Sequence, residues 1–91
     1  MFKITDNKGF HITFPNGYTV SVQWGPGNYC NNYGRKFSEA AQCGADGSNT
    51  AECAVWKKDD EMISYGDWGD TVSNRSSPTE VLELLNWAAQ Q

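Results

Sequence analysis

The chain contains four residues of the types that hold zinc or form a nucleophile and base pair: His11, Cys30, Cys43 and Cys53. Zinc binds thiolates and imidazole, but its ligands usually come in pairs separated by about two to four residues. Here twelve residues separate the first two cysteines and nine separate the next two. A catalytic cysteine with His11 as its base would also need a third, orienting group, which the sequence does not indicate. We therefore expect reduced thiols, no metal, no cofactor and no catalytic residue.

A second set of candidate residues lies between Gly25 and Thr50, in a segment that is rich in Gly and Asn and shows no sustained hydrophobic period. We call residues 25–50 the Asn-rich segment. A connection this long without regular structure is usually functional or disordered, and its interleaved aromatic, amide and basic residues favour function. The predicted ligand- or partner-binding residues of this segment are Asn28, Tyr29, Asn31, Tyr33, Arg35 and Lys36. The Gly-Pro-Gly-Asn sequence near its start can cradle a phosphate with backbone amides, but it lacks the spacing of nucleotide-binding motifs.

Three further candidate binding residues lie outside that segment. His11 and Gln23 alternate with apolar neighbours, so we expect both on the polar face of a sheet. That face is either simply solvated or covered by the Asn-rich segment, which would create a pocket. Trp68 stands between two aspartates with a glycine close by on each side, so it is either an exposed anchor for a basic protein or folded back over the core edge.

Length and net charge limit the number of domains and the classes of partner that the sequence allows. Ninety-one residues make one domain, residues 1–91, with a net charge of -4 from eleven acidic and seven basic residues. This balance argues against non-specific binding to nucleic acid or to an anionic membrane. No apolar run approaches the ~20 residues of a membrane span, and the N-terminal residues enter a strand pattern instead of a signal peptide pattern. We expect a cytoplasmic protein.

The candidate residues need a scaffold, and alternating apolar residues between Phe2 and Trp24 predict three antiparallel strands. A two-residue turn at Asn16-Gly17 would place the apolar residues of the second and third strands on opposite faces. A three-residue loop over 15–17 instead pairs Ile12 with Val20 and keeps one apolar face, with Gly17 in a left-handed conformation.

The first turn is predicted by the same reasoning. A loop over 7–9 pairs Ile4 with Ile12 and places Gly9 in the left-handed position. The three strands then share one apolar face.

A second hairpin is predicted from strands at 51–57 and 62–65. A two-residue turn at Asp59-Asp60 pairs Trp56 with Ile63, whereas a three-residue loop pairs Val55 with Ile63. We favour the first because it unites the larger side chains.

The last element is a helix that begins with the capping box Ser77-Pro78-Thr79-Glu80. Its apolar stripe comprises Val81, Leu84, Leu85 and Ala88, widened by Leu82, Trp87 and Ala89. Because this stripe must be buried, we predict an α+β fold: a mostly antiparallel sheet of about five strands with one C-terminal helix packed on a face.

The stretches GFHITFPNGYTVSVQWGPGNYC and SPTEVLELLNWAA resemble a group of small proteins encoded by bacteriophages and prophages. Small phage proteins made during infection often bind and disable a host factor. The resemblance thus implies an inhibitor of a bacterial defence system that acts in the host cytoplasm.

Together these features predict a non-enzymatic binding module whose partner is a host bacterial protein or a small anionic nucleotide. The alternatives are a small hydrolase that uses His11 with a cysteine, and a phage virion or assembly accessory protein. The sequence leaves the oligomeric state open; the open edges of a small sheet can pair across a two-fold axis, which makes a homo-oligomer one expectation.

Overall fold

The computed structural model describes residues 1–5, 8–25, 28–31 and 47–91. It contains an antiparallel sheet in which each strand neighbours the next strand along the chain, and one helix packs on this sheet. The elements are β1 (Phe2–Ile4), β2 (Gly9–Thr13), β3 (Tyr18–Gln23), β4 (Glu52–Lys57) and α1 (Pro78–Ala89). The predicted α+β class is confirmed, and the sheet of the described residues has four strands.

The loop between β2 and β3 has the predicted three-residue form. The amide of Phe14 donates to the carbonyl of Tyr18 at 2.9 Å, and Gly17 has a φ of 90°. Ile12 therefore lies opposite Val20, as the shared apolar face requires.

The register between β1 and β2 differs from the prediction by two residues. Ile4 lies opposite Phe10, and not opposite Ile12. The turn closes one residue earlier than predicted, because the amide of Thr5 donates to the carbonyl of Gly9 at 3.1 Å and the amide of Lys8 donates to the carbonyl of Thr5 at 2.8 Å. Gly9 belongs to β2 and has a φ of 156°, a positive value that other residues rarely adopt, and a Cβ there would collide with the carbonyl oxygen of Val22. Glycine therefore serves both the backbone conformation and close packing at this position. A slip of two residues preserves the face of each side chain.

The predicted fifth strand is reduced to an isolated bridge between Trp56 and Met62. The amide of Ile63 donates to the carbonyl of Val55 at 2.8 Å, which is the register of the three-residue loop. The favoured two-residue turn is therefore wrong. The physical reason is that Val55 is fully buried on the core side of β4, so pairing with it directs Ile63 into the core.

Helix α1 begins as its sequence predicts. The side chain of Ser77 accepts a hydrogen bond from the amide of Glu80, and the Glu80 carboxylate accepts one from the amide of Ser77, which completes the capping box. Leu84 and Ala88 are buried against β3, whereas Leu82 is 57% exposed and does not widen the buried stripe as predicted. Ala89 is also exposed.

The two faces of the sheet differ in chemistry. The helix face carries the buried core, which consists of Val20, Val22, Ala51, Cys53, Val55, Leu84 and Ala88. We call the opposite face the outer face. Its middle row places Lys3, His11, Ser21 and Ala54 side by side across the four strands.

Candidate binding surfaces

The outer face carries the polar network that includes Gln23. The amide group of Gln23 brackets the hydroxyl of Thr5, with Oε1 at 2.8 Å and Nε2 at 2.6 Å, and its Nε2 also donates to Ser21 Oγ at 3.2 Å. Ser21 lies directly opposite His11 in the sheet. The structure therefore brings His11 and Gln23 together on one face, as the alternation predicts.

His11 is half-buried, and its ring packs edge-on against Trp56 with centroids 5.2 Å apart. Burial, with a smaller contribution from the positive charge of Lys3, lowers the pKa of His11 from 6.5. The lowered pKa favours the neutral form of His11, which offers hydrogen-bonding and apolar surface in place of a positive charge for an anion.

The residues 28–31 lie at the end of the sheet. The Asn28 side chain donates to the Trp24 carbonyl at 2.9 Å, and the Asn31 amide donates to Thr50 Oγ1 at 3.0 Å. Tyr29 is 42% exposed. These contacts anchor the described part of the Asn-rich segment to residues that adjoin β3 and β4.

Glu52 connects this end to the outer face, although the sequence analysis did not single it out. It lies opposite Gln23 in the sheet, and its Oε2 accepts a hydrogen bond from the amide of Tyr29 at 3.3 Å. Burial raises the pKa of Glu52; the Tyr29 hydrogen bond offsets part of that effect, and Asp70 adds to it. A carboxylate between Gln23 and Tyr29 disfavours an anionic ligand at that point. The partners of a half-buried strand carboxylate depend on loop placement, so no sequence signal indicated it.

Tyr33, Arg35 and Lys36, on which the predicted nucleotide site depends, lie outside the described residues. The expectation of a nucleotide ligand stays a prediction.

Trp68 lies away from the other candidates, on the helix side of the sheet. Its ring packs on Tyr65 with centroids 5.7 Å apart, and Tyr65 packs in turn on Trp87 at 5.1 Å. Trp87 is in edge contact with Tyr18. Trp68 is therefore half-buried over the core edge, which is the second of the two alternatives that the sequence left open.

The two described cysteines, Cys30 and Cys53, are both buried. Burial raises the pKa of Cys53 to about 11, although hydrogen bonds from Ser73 and Ser76 act in the opposite direction. Cys53 is a core residue of the helix face, whereas His11 lies on the outer face. Among the described residues, no group of three His, Cys, Asp or Glu side chains can hold a metal ion.

Cys30 is also separated from His11. Its Sγ accepts a hydrogen bond from the amide of Gly25 at 3.2 Å. Gly25 is four residues beyond Ser21, the residue opposite His11, and that separation corresponds to roughly 13 Å along an extended chain. Neither described cysteine is thus placed to transfer a proton to His11.

A further surface, which the sequence analysis missed, lies on β1. Met1, Phe2 and Ile4 are 79%, 75% and 76% exposed. The alternation correctly places Phe2 and Ile4 on the helix face. However, a helix about 10 Å wide covers roughly two strands spaced ~4.8 Å apart, and α1 packs on β3. Strand β1, two positions away, is therefore not covered by α1.

The two edges of the sheet are not equivalent. Along β4, the amides of Ile63 and Ser73 donate to the carbonyls of Val55 and Cys53, each at 2.8 Å, and Ser76 bridges to Ala51. Among the described strands, β1 has a neighbour on one side only. The open edge of the sheet and its exposed apolar side chains therefore coincide.

Comparison of the chain with protein-family models, with curated proteins and with solved structures found no match to any of them. No helix in the described part of the chain is both long enough and apolar enough to cross a membrane.

Proposed function

We propose that this chain is a non-enzymatic binding module that takes up an extended segment of a partner protein along the open edge of β1. The observation that carries the proposal is the exposure of Phe2 and Ile4 on β1, an edge strand of the described sheet, and of the adjoining Met1. Addition of a strand to such an edge is a recurrent mode of peptide recognition, in which backbone hydrogen bonds supply affinity and alternate side chains supply specificity.

The backbone of β1 is oriented for this role. The amide of Thr13 donates to the carbonyl of Met1 at 2.8 Å, and the nitrogen of Met1 donates to the carbonyl of Thr13 at 2.7 Å. In an antiparallel ladder such hydrogen-bonded pairs alternate with non-bonded pairs. The amides and carbonyls of Phe2 and Ile4 consequently point away from β2, toward the open edge.

The side chains of β1 indicate the chemistry of the partner. Phe2 and Ile4 lie on the helix face and Lys3 on the outer face, so a paired segment would present apolar residues on one side and an acidic residue opposite Lys3. Charge is also uneven along the chain, because residues 1–25 carry two lysines and one aspartate, whereas residues 47–91 carry eight acidic and three basic residues. We infer a partner segment with an apolar, acidic, apolar alternation.

A second copy of the chain fits this edge less well. Antiparallel pairing of all three β1 residues with themselves would place Lys3 directly opposite Lys3 of the other copy, and like charges at such a position are destabilising. In the context that the phage resemblance suggests, the partner is a bacterial host protein in the cytoplasm. The separation of His11 from both described cysteines supports binding over the alternative hydrolase.

The test is selection from a library of short random peptides on the immobilised protein, followed by affinity measurement. Phe2 has on the order of 150 Å² of surface free for burial, which gives an upper limit of about 4 kcal/mol from this side chain. We expect selected peptides to alternate apolar and acidic residues, and Ile4→Gln to weaken their binding at least about tenfold. Leu82→Gln, which changes an exposed apolar residue on α1, is the matched control and should leave affinity unchanged.

Two further measurements distinguish edge pairing from unspecific apolar adsorption. Hydrogen exchange at the amides of Phe2 and Ile4 should slow in the complex, and Lys3→Glu should prefer peptides whose acidic residue is replaced by lysine. The proposal would be overturned if Ile4→Gln and Leu82→Gln lose equal peptide affinity, or if the β1 amides stay unprotected in the complex. Concentration-dependent dimerisation through β1 without peptide binding would overturn it as well.

A further inference from the structure

An aromatic-walled cavity of about 460 Å³ lies on the helix side of the molecule, between α1 and the preceding loop. We call it the helix–loop cavity. Its lining residues are Tyr65, Gly66, Asp67, Trp68, Ser73, Asn74, Ser76, Glu80, Glu83 and Leu84. The volume is within the range of small-ligand sites, and none of the lining residues belongs to β1 or to the Asn-rich segment.

The aromatic wall is formed by Tyr65 and Trp68. Their ring centroids are 5.7 Å apart and their planes are inclined by 41°, so the two rings are set at an angle instead of stacking flat on each other. Trp68 is held in place indirectly, because Tyr65 also packs on Trp87 of α1. Inclined aromatic faces attract a cation through the negative potential above each ring.

The charged groups of the cavity all have one sign. Asp67 comes from the loop wall, and Glu80 and Glu83 come from one face of α1, three residues apart. Glu80 is engaged in the capping box, whereas the carboxylates of Asp67 and Glu83 form no ion pair or hydrogen bond with another described residue. No lysine or arginine is among the lining residues.

The floor of the cavity is polar and uncharged. Ser73 and Ser76 are buried, and Ser76 Oγ donates to Ser73 Oγ at 2.7 Å. Ser73 Oγ also accepts a hydrogen bond from the amide of Cys53 at 2.8 Å. Because Ser76 Oγ uses its proton in the bond to Ser73, it meets a ligand as a hydrogen-bond acceptor. A donor group on a ligand therefore has an oxygen to meet at the base of the cavity.

We propose that the helix–loop cavity binds an organic cation, namely a guanidinium or alkylammonium group. Such a group is flat or compact, carries N–H donors for the carboxylates and the serine hydroxyl, and interacts favourably with Trp and Tyr faces. A bare metal ion fits less well, because the described residues include no set of three ligand groups in metal-binding arrangement. The cation can come from a free polyamine-like molecule or from an arginine or lysine side chain of a protein.

The experiment titrates the chain with agmatine and with the peptide acetyl-Gly-Arg-Gly-amide at constant ionic strength. Binding is followed by the indole N–H signal of Trp68 in a ¹H–¹⁵N spectrum. The neutral control is the same peptide with citrulline in place of arginine. We expect saturable shifts with the cations only, and Glu83→Gln should weaken the binding about three- to tenfold. Stronger binding of agmatine indicates a free cation, and stronger binding of the peptide indicates a protein side chain.

The matched control variant is Glu61→Gln, which removes a carboxylate from the exposed hairpin tip, outside the cavity. It should leave the affinity unchanged. Equal responses to arginine and citrulline, no saturation by about 10 mM cation, or equal weakening by Glu61→Gln would overturn the proposal. Ile4→Gln should have no effect, so failure here is distinguishable from failure of the β1 proposal. If Glu83→Gln lowers the melting temperature, Asp67→Asn on the loop wall provides the second test.

Discussion

The side chain of Asn16 ties the β2–β3 turn to the end of α1, and its replacement should destabilise the fold measurably. Nδ2 of Asn16 donates to the carbonyl of Ala88 at 2.7 Å and to that of Gln91 at 3.0 Å. Its Oδ1 accepts a hydrogen bond from the amide of Tyr18 at 3.0 Å. One side chain therefore caps the turn and links it to backbone carbonyls at the C-terminal end of α1.

The cost of Asn16→Ala follows from these three bonds. A partly buried hydrogen bond contributes about 0.5–1.5 kcal/mol net, and the contact with Gln91 is exposed, so we discount it. The two remaining bonds give a loss of about 2 kcal/mol in the free energy of unfolding. For a domain of this size the melting temperature should fall by roughly 8–16 °C.

Asn16→Asp separates the two functions of this side chain. It keeps an oxygen for the Tyr18 amide but loses the donor, and it places a negative charge at the negative end of the helix dipole. We expect Asp to be at least as destabilising as Ala. The measurement is urea unfolding followed by far-ultraviolet circular dichroism, with Asn49→Ala as the control at an exposed position. An Asn16→Ala variant within about 0.5 kcal/mol of the parent, or an Asp variant more stable than the Ala variant, would refute the role assigned to these bonds.

Three other predictions concern single groups. Burial and Lys3 lower the pKa of His11 from 6.5, so the unfolded chain binds the proton first, and the free energy of unfolding should fall as the pH drops below 6.5. The difference between the pH profiles of the parent and of His11→Gln isolates this effect, and a zero difference would contradict it. Ser77→Ala should cost about 1 kcal/mol by chemical denaturation because it removes the capping box, whereas Ser77→Asp should retain most of the stability. With a pKa of about 11 and a buried side chain, Cys53 should react with a thiol reagent at pH 8 only as fast as the chain opens. Mass spectrometry of the labelled Cys53 peptide measures the labelling rate in buffer and in urea, and equal labelling rates in the two would show that the thiol is accessible in the folded chain.

Sequence reasoning succeeded where the deciding contacts are local. The loop at 15–17 and the capping box of α1 each depend on residues within four positions of one another, so composition and spacing suffice to predict them. Alternation also assigned the residues of β1, β2 and β3 to their correct faces. Face assignment is robust because it depends only on the two-residue period of an extended chain.

Register was less predictable, because alternation does not distinguish slips of two residues. Ile4 opposite Phe10 and Ile4 opposite Ile12 both keep the apolar side chains together, and only the backbone hydrogen bonds that Thr5 forms with Lys8 and Gly9 decide between them. In the second hairpin, side-chain size favoured the wrong partner for Ile63. The complete burial of Val55 in the core outweighs the size of Trp56, and that burial is a property of the assembled core.

The candidate sites were likewise predictable only where local geometry determines them. The sequence by itself determined that His11 and Gln23 share a face, because strand geometry is local. Only the tertiary structure decided that Glu52 joins that face to Tyr29, that Trp68 walls a cavity, and that β1 is left open. The physical reason is that exposure depends on which strands one helix can cover. A helix that covers about two strands leaves the rest of the apolar face exposed, and the order of residues along the chain does not specify where it will lie.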